Sequence, residues 1–157
     1  MKLMKLVMVA ATALGVAACS SPPPAEEPAA PTISEGSVQY FNSVVGDRVL
    51  FAYDSSALSD EAQEILTRQA QWLNAYPNVT AVIEGHADER GTREYNIALG
   101  ARRANATRAF LIAQGVDGAR LRTVSYGKER PVMTCPSESC WSQNRRTVTV
   151  VEGAPTS

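Results

Sequence analysis

The chain has 157 residues, 45% of them apolar and 20% charged, a balance that suits one soluble domain with a tail rather than a membrane-embedded or disordered chain. Fifteen basic residues face sixteen acidic ones, so there is no basic excess to neutralise nucleic-acid phosphates, and no nucleic-acid partner is expected. A single histidine and three cysteines leave little material for a multi-ligand metal centre or a histidine-based hydrolase.

Residues 1–18 read as an address. Lys2 and Lys5 form a positive start, and apolar and small residues then run without charge to Ala18, the pattern of a secretory signal peptide. The segment is short for a spanning helix of ~20 residues; an uncleaved anchor helix is the alternative. Val16-Ala17-Ala18-Cys19 resembles the lipobox of bacterial lipoproteins, which implies cleavage before Cys19 and acyl chains on the new terminus. Two or more chains, at ~0.8 kcal/mol per buried CH₂, make a durable anchor. Ser20 follows the cysteine, where an aspartate often implies inner-membrane retention, so the expected home is the outer membrane, with the domain facing the periplasm. Loss of the two lysines leaves 13 basic residues against 16 acidic ones, a net charge of −3.

Ser20 to Gly36 holds five prolines and almost no large apolar residue. It cannot bury enough surface to offset ordering entropy, and at ~3.1 Å per residue it would reach about 50 Å if extended. A spacer between membrane and target and a plain flexible linker are both open readings. The expected organisation is signal peptide 1–18, lipidated cysteine and linker 19–37, domain 38–152 and tail 153–157.

From Val38 the pattern turns globular. Arg48-Val49-Leu50-Phe51-Ala52-Tyr53 is a β-prone run that ends at a turn-forming Asp54-Ser55-Ser56. Ser59 is a candidate N-cap, with Asp60 and Glu61 in a first helical turn where negative charge is favoured. Ala62, Ile65, Leu66, Leu73 and Tyr76 recur at helical spacing, and Pro77 closes the element. Val79 to Glu84 has strand character. Tyr95 to Gln114 is a second helix, with Tyr95, Leu99, Ala106, Phe110 and Ala113 as its buried face and Gly115 as its stop. Arg102 falls on that face, which predicts a paired or snorkelling arginine. Leu121–Tyr126 and Arg146–Val151 are two more strands. The order β-α-β-α-β-β predicts an α/β two-layer sandwich with a mixed sheet, in which β-α-β steps give parallel neighbours through right-handed crossovers.

Gly85-His86-Ala87-Asp88-Glu89-Arg90-Gly91-Thr92 lies between a strand and the second helix, where such domains usually present ligand-binding groups. Asn96 and Arg103 are seven positions apart, on one helical stripe about 10.5 Å long, with Leu99 close to it. An acid, an amide, an apolar contact and a guanidinium can therefore line one pocket. This segment, with Glu94-Tyr95-Asn96-Ile97, Arg102-Arg103-Ala104-Asn105, Val124 to Pro131 and Asn144-Arg145-Arg146, resembles the peptidoglycan-associated lipoproteins of the Tol system, within the wider OmpA-like domain family. The likeness spans roughly residues 45–151 and the leader.

The resemblance implies an OmpA-like fold, no enzymatic activity and no cofactor. It implies non-covalent capture of a peptidoglycan stem peptide at diaminopimelate, whose side chain ends in one ammonium and one carboxylate. Carried over by position, Asp88 accepts from the ammonium and Arg103 grips the carboxylate through the planar fork of its guanidinium. Tyr53 and Asp54 match an aromatic-aspartate pair that walls the pocket, with tyrosine where phenylalanine is common. Asn96, Leu99 and Thr92 are further candidates. Replacing Asp88 or Arg103 by alanine is then expected to abolish cell-wall binding with the fold intact. Tol proteins, notably the periplasmic propeller protein, are the implied partners.

Two signals stand apart. Glu84, His86 and Asp88 suggest a zinc site, but no second histidine or cysteine ligand is evident, so no metal is expected. Cys135 and Cys140 remain as an even pair once Cys19 carries lipid. A loop-stapling disulfide is the expected state in an oxidising compartment, and the C-x₄-C spacing argues against a redox site. The family does not generally have this pair.

Overall fold

The computed structural model describes residues 33–156; the leader, Cys19 and most of the proline-rich segment lie outside the described residues. In chain order the elements are α1 (Val38–Tyr40, continued by a widened helical turn over Phe41–Gly46), β1 (Arg48–Leu50), α2 (Asp60–Ala75), β2 (Thr80–His86), α3 (Arg93–Ala113), a short helical turn (Gly118–Arg120), β3 (Leu121–Gly127), α4 (Glu138–Asn144) and β4 (Arg146–Glu152). The four strands form one mixed sheet in the order β1-β4-β2-β3. The fold is therefore the expected α/β sandwich with a mixed sheet, with three short helical elements added.

β2 and β3 pair in parallel around α3, as expected of a β-α-β step. β1 and β2 do not pair. β4 lies between them, antiparallel to both, so the expected parallel neighbourhood of β1 and β2 is corrected. Three-residue β1 takes one edge, and seven-residue β4 pairs on both sides. Alternate β4 residues Thr147, Thr149 and Val151 are buried under the helices, and two of them bond there. Thr147 Oγ1 is 2.9 Å from Thr107 Oγ1, and Thr149 Oγ1 donates to Gln69 Oε1 at 2.8 Å.

Ser59 caps α2 through a bond from the Ala62 amide, and Asp60 and Glu61 sit in the first turn. Its buried positions include Ala62, Leu66 and Leu73 as expected, and they join Phe41, Ile83 and Leu111 in the core. The widened turn over Phe41–Gly46 was not legible in the periodicity. The packed unit also reaches past the expected 38–152 limits. Ser37 is fully buried, Trp72 Nε1 donates to Glu35 O at 2.7 Å, and the Val38 amide donates to Pro155 O at 2.8 Å.

The buried face of α3 differs from the expected one. Asn96, Leu99, Gly100, Arg103, Ala104, Thr107 and Leu111 are buried, whereas Tyr95 is 44% exposed and Ala113 lies in solvent. The face is rotated because small and polar residues occupy it, so apolar periodicity alone points to the wrong side. Arg102 accordingly lies on the exposed side, its guanidinium 5.8 Å from the Tyr95 ring.

β2 continues through Gly85 and His86 rather than ending at Glu84. Gly85 and Gly100 mark where β2 and α3 cross: a Cβ on Gly85 would overlap the Gly100 carbonyl, and a Cβ on Gly100 would lie 2.9 Å from the Gly85 oxygen. This backbone contact sets the height of α3 over the loop that follows β2. Gly85→Ala is expected to cost about 3 kcal/mol, the upper range for overpacking, measured as a fall in the urea midpoint. An alanine variant as stable as the parent would show that the crossing widens freely.

Candidate functional site

The loop Ala87–Thr92 leaves the carboxyl end of β2 and returns into α3, and the turn after β1 lies beside it. Together they enclose a cleft of about 160 Å³. Tyr53, Asp54, Asp88, Asn96, Leu99 and Arg103 all line it, so six of the seven candidate binding residues are brought together; Arg90, Gly91 and Tyr95 complete the wall. Thr92 is not part of the lining. Its hydroxyl caps α3, accepting from the Tyr95 amide at 3.2 Å, which accounts for a threonine at that position.

Asp88 is 4% exposed, and both its oxygens are engaged. Oδ1 accepts from the Arg90 amide and from Arg90 Nε, each at 3.1 Å; Oδ2 accepts from Arg90 Nη2 at 2.6 Å and Arg145 Nη1 at 3.3 Å. Burial acts to raise its pKa, but the hydrogen bonds from Arg90 and Arg145 outweigh burial and hold the carboxyl below its ordinary range.

Arg103 is fully buried. Nε donates to Ser55 O at 2.8 Å, Nη1 to His86 O at 2.8 Å and Nη2 to Ala52 O at 3.1 Å. The guanidinium thus ties the turn after β1 to the end of β2. Of its five N–H groups, these bonds use three, and the remaining two belong to a side chain in the cleft wall. Burial first, and the nearby positive charge of Arg145 second, bring its pKa down to about 10.

Asp54 has φ 52°, the one described non-glycine residue in the left-handed region, a conformation that aspartate tolerates and that often marks ligand-binding turns. Its carboxylate accepts from the Tyr95 hydroxyl. Asn96 Nδ2 donates to Arg90 O at 2.8 Å, which leaves its carbonyl oxygen for other partners. Two anions and two cations therefore line one small opening.

Residues 50–145 match the model of the OmpA family. Over 119 residues the chain is 62% identical to a peptidoglycan-associated lipoprotein of Agrobacterium fabrum, covering 76% of this chain and 67% of that one. It is 54% identical over 155 residues to the protein of the same name from Mesorhizobium japonicum, covering 94% and 92%. The crystal structure of the peptidoglycan-associated lipoprotein from Burkholderia pseudomallei superposes with a TM-score of 0.68 at 41% identity, over 71% of this chain and 96% of that one.

The chain belongs to the OmpA family, among the relatives called peptidoglycan-associated lipoproteins. The span that matches the OmpA family runs from Leu50 to Arg145 and so encloses every cleft residue named above. Sequence reasoning passed over Arg90, Trp141 and Glu138 as site residues, placed Tyr95 on the buried face of α3, and left Asn144-Arg145-Arg146 open between holding the last strand and contacting the ligand. Arg145 is in fact buried against Asp88 and donates to Phe51 O at 3.0 Å and to the Glu138 carboxylate. Trp141 and Glu138 sit on α4, which no periodicity announced because it is only seven residues long. The clue available was the stapled Cys135-Pro136-Ser137-Glu138-Ser139-Cys140 segment. The two cysteines do form a disulfide, with Cα atoms 5.7 Å apart, and it fixes the start of that helix.

His86 points away from the helices beside Glu84, whose Oε2 is 3.5 Å from Nε2. Neither ring nitrogen has a hydrogen-bond partner among the described residues, and no group of three or more potential metal ligands occurs among them. Burial, then Arg146 and Arg130, lower the His86 pKa to about 4. A depressed histidine pKa means that the unfolded chain takes up a proton first, so stability present at neutral pH falls as pH drops from 6.5 toward 4. The expected loss between pH 7 and pH 5 is about 2 kcal/mol, read by urea denaturation at both values. His86→Asn should flatten that slope, and an unchanged slope would assign the effect elsewhere.

Proposed function

We propose that this chain is a non-catalytic tether: lipid on Cys19 holds it in the outer membrane, residues 19–37 span the gap, and the domain binds diaminopimelate-type peptidoglycan from the periplasm. The observation that carries the reading is the cleft that sets Asp54 and Asp88 against Arg90 and Arg103. A ligand entering it must satisfy both signs at a fixed separation. The free end of a diaminopimelate side chain has one ammonium and one carboxylate, and it is small enough for the opening. Asp88 faces the ammonium and Arg103 the carboxylate, Asp54 and Tyr53 close one wall, and Asn96 and Leu99 form the floor.

The name of the relatives, peptidoglycan-associated lipoprotein, supports the same target. Many copies on one cell wall would add avidity to a modest single-site affinity. We further propose that the chain works with the Tol proteins, including the periplasmic propeller protein, in envelope integrity and cell division. An NMR titration with a synthetic stem peptide tests the site: amide shifts should centre on residues 52–55 and 87–92 and on the first turns of α3. Shifts scattered over the surface, or none at millimolar peptide, would remove it. Co-purification from intact envelopes tests the Tol association, and recovery without any Tol protein would leave a general tether.

A further inference from the structure

The carboxylate expected to receive the ligand ammonium is already fully occupied. A carboxylate offers about four acceptor positions, and Asp88 fills four: three with Arg90 and one with Arg145. Arg90 also lies against two aromatic rings. Its guanidinium lies 4.1 Å from the ring centre of Tyr53 and 4.1 Å from that of Trp141. Trp141 is itself oriented by its Nε1, which donates to Glu89 Oε1 at 2.9 Å, and it stands on the helix that the Cys135–Cys140 bridge anchors. Glu138, on the same helix, has Oε2 3.8 Å from Arg90 Nη2, but it is 63% exposed and a poor substitute for a buried anion.

We propose that Arg90 is an exchangeable placeholder on Asp88, and that binding is a swap of ion-pair partners which makes a zwitterion the required ligand. The inference rests on the stem-peptide reading above. An arriving ammonium takes Arg90's place on Asp88. The displaced guanidinium stays against Tyr53 and Trp141, turns its N–H groups, and joins Arg103 in receiving the ligand carboxylate. Each buried or half-buried charge keeps a partner throughout. A ligand with the ammonium alone would displace Arg90 and leave a cation without its anion, which disfavours it. Selectivity thus comes from Arg90 as much as from Asp88 and Arg103. Trp141 is a positioning residue that keeps the displaced guanidinium in reach.

The test is calorimetric titration of the full chain with two synthetic probes, a stem tripeptide ending in diaminopimelate and the same peptide ending in lysine, which lacks the side-chain carboxylate. The parent should prefer the diaminopimelate probe by roughly tenfold or more, the scale of one charge-assisted contact. Arg90→Gln should bring the ratio near unity by moving the two affinities in opposite directions: weaker for diaminopimelate, tighter for lysine. Trp141→Phe should keep the parent's ratio, and Trp141→Ala should approach that of Arg90→Gln. A purely structural Arg90 would weaken both probes by one factor, and that result, or an unchanged ratio, overturns the exchange while leaving the peptidoglycan site in place. A parent that binds neither probe overturns both.

Discussion

Asp88→Ala is expected to abolish retention on purified sacculi and also to lower folding stability by about 3 kcal/mol, the range for removing one partner of a buried charge pair. The second effect follows from what surrounds the carboxylate. Arg145, with a side chain 6% exposed, would keep only the exposed Glu138 as an anion, and fully buried Arg103 would lose one of the carboxylates that compensate its charge. Because interactions in the folded state hold the Asp88 pKa below its ordinary value, its contribution is present at neutral pH and lost as pH falls through that lowered value. Asp88→Asn, which preserves shape and one acceptor oxygen, should recover part of the stability and none of the binding. Denaturation curves and sedimentation with sacculi separate the two properties. An alanine variant with parental stability would mean that solvent reaches Arg145 readily, and sacculus retention by both variants would remove Asp88 from the site.

Arg103→Ala should have the larger effect on the fold, roughly 3–5 kcal/mol, because it strips the donors from three backbone carbonyls at once. The carbonyls of Ala52 and Ser55 belong to the turn after β1, and that of His86 to the end of β2. Without the guanidinium these two segments lose their link, and Asp54 loses the support that holds it in its left-handed conformation. Loss of sacculus binding in this variant would therefore report a collapsed cleft as much as a missing contact. This departs from the expectation that both alanine variants leave the fold intact, which treats the two residues as surface groups. Arg103→Lys keeps the charge but not the fork, and about half of the stability loss is expected. A folded Arg103→Lys protein that still sediments with sacculi would show that the fork is needed for structure and not for the ligand.

The outline of the fold is legible in residues 48–151 because its longer elements carry local signals. Ser59 with Asp60 and Glu61 marks the start of α2, Pro77 its end, and Gly115 the end of α3. What escaped lies where local signals are weak or misleading. The buried stripe of α3 is Asn96, Gly100, Arg103 and Thr107 beside Leu99, Ala104 and Leu111, and a search for apolar periodicity reads such a stripe as solvent-facing. Helix α4 is too short to show a period, although it sets Trp141 and Glu138 against Arg90.

The sequence by itself determined the chemistry available: which acids, guanidiniums and aromatics exist, and their order in strand, loop and helix. That sufficed to select Asp88, Asn96, Leu99 and Arg103 for one cleft, since a strand-loop-helix segment keeps its members close whatever the rest does, whereas Tyr53 and Asp54, in the turn after β1, came with the family resemblance. Only the tertiary structure decided which of those charges are free. Ion pairing depends on distances of a few ångströms between segments far apart in the chain. Arg145 reaches Asp88 across 57 positions and Arg103 reaches Ala52 across 51, and no spacing rule encodes either.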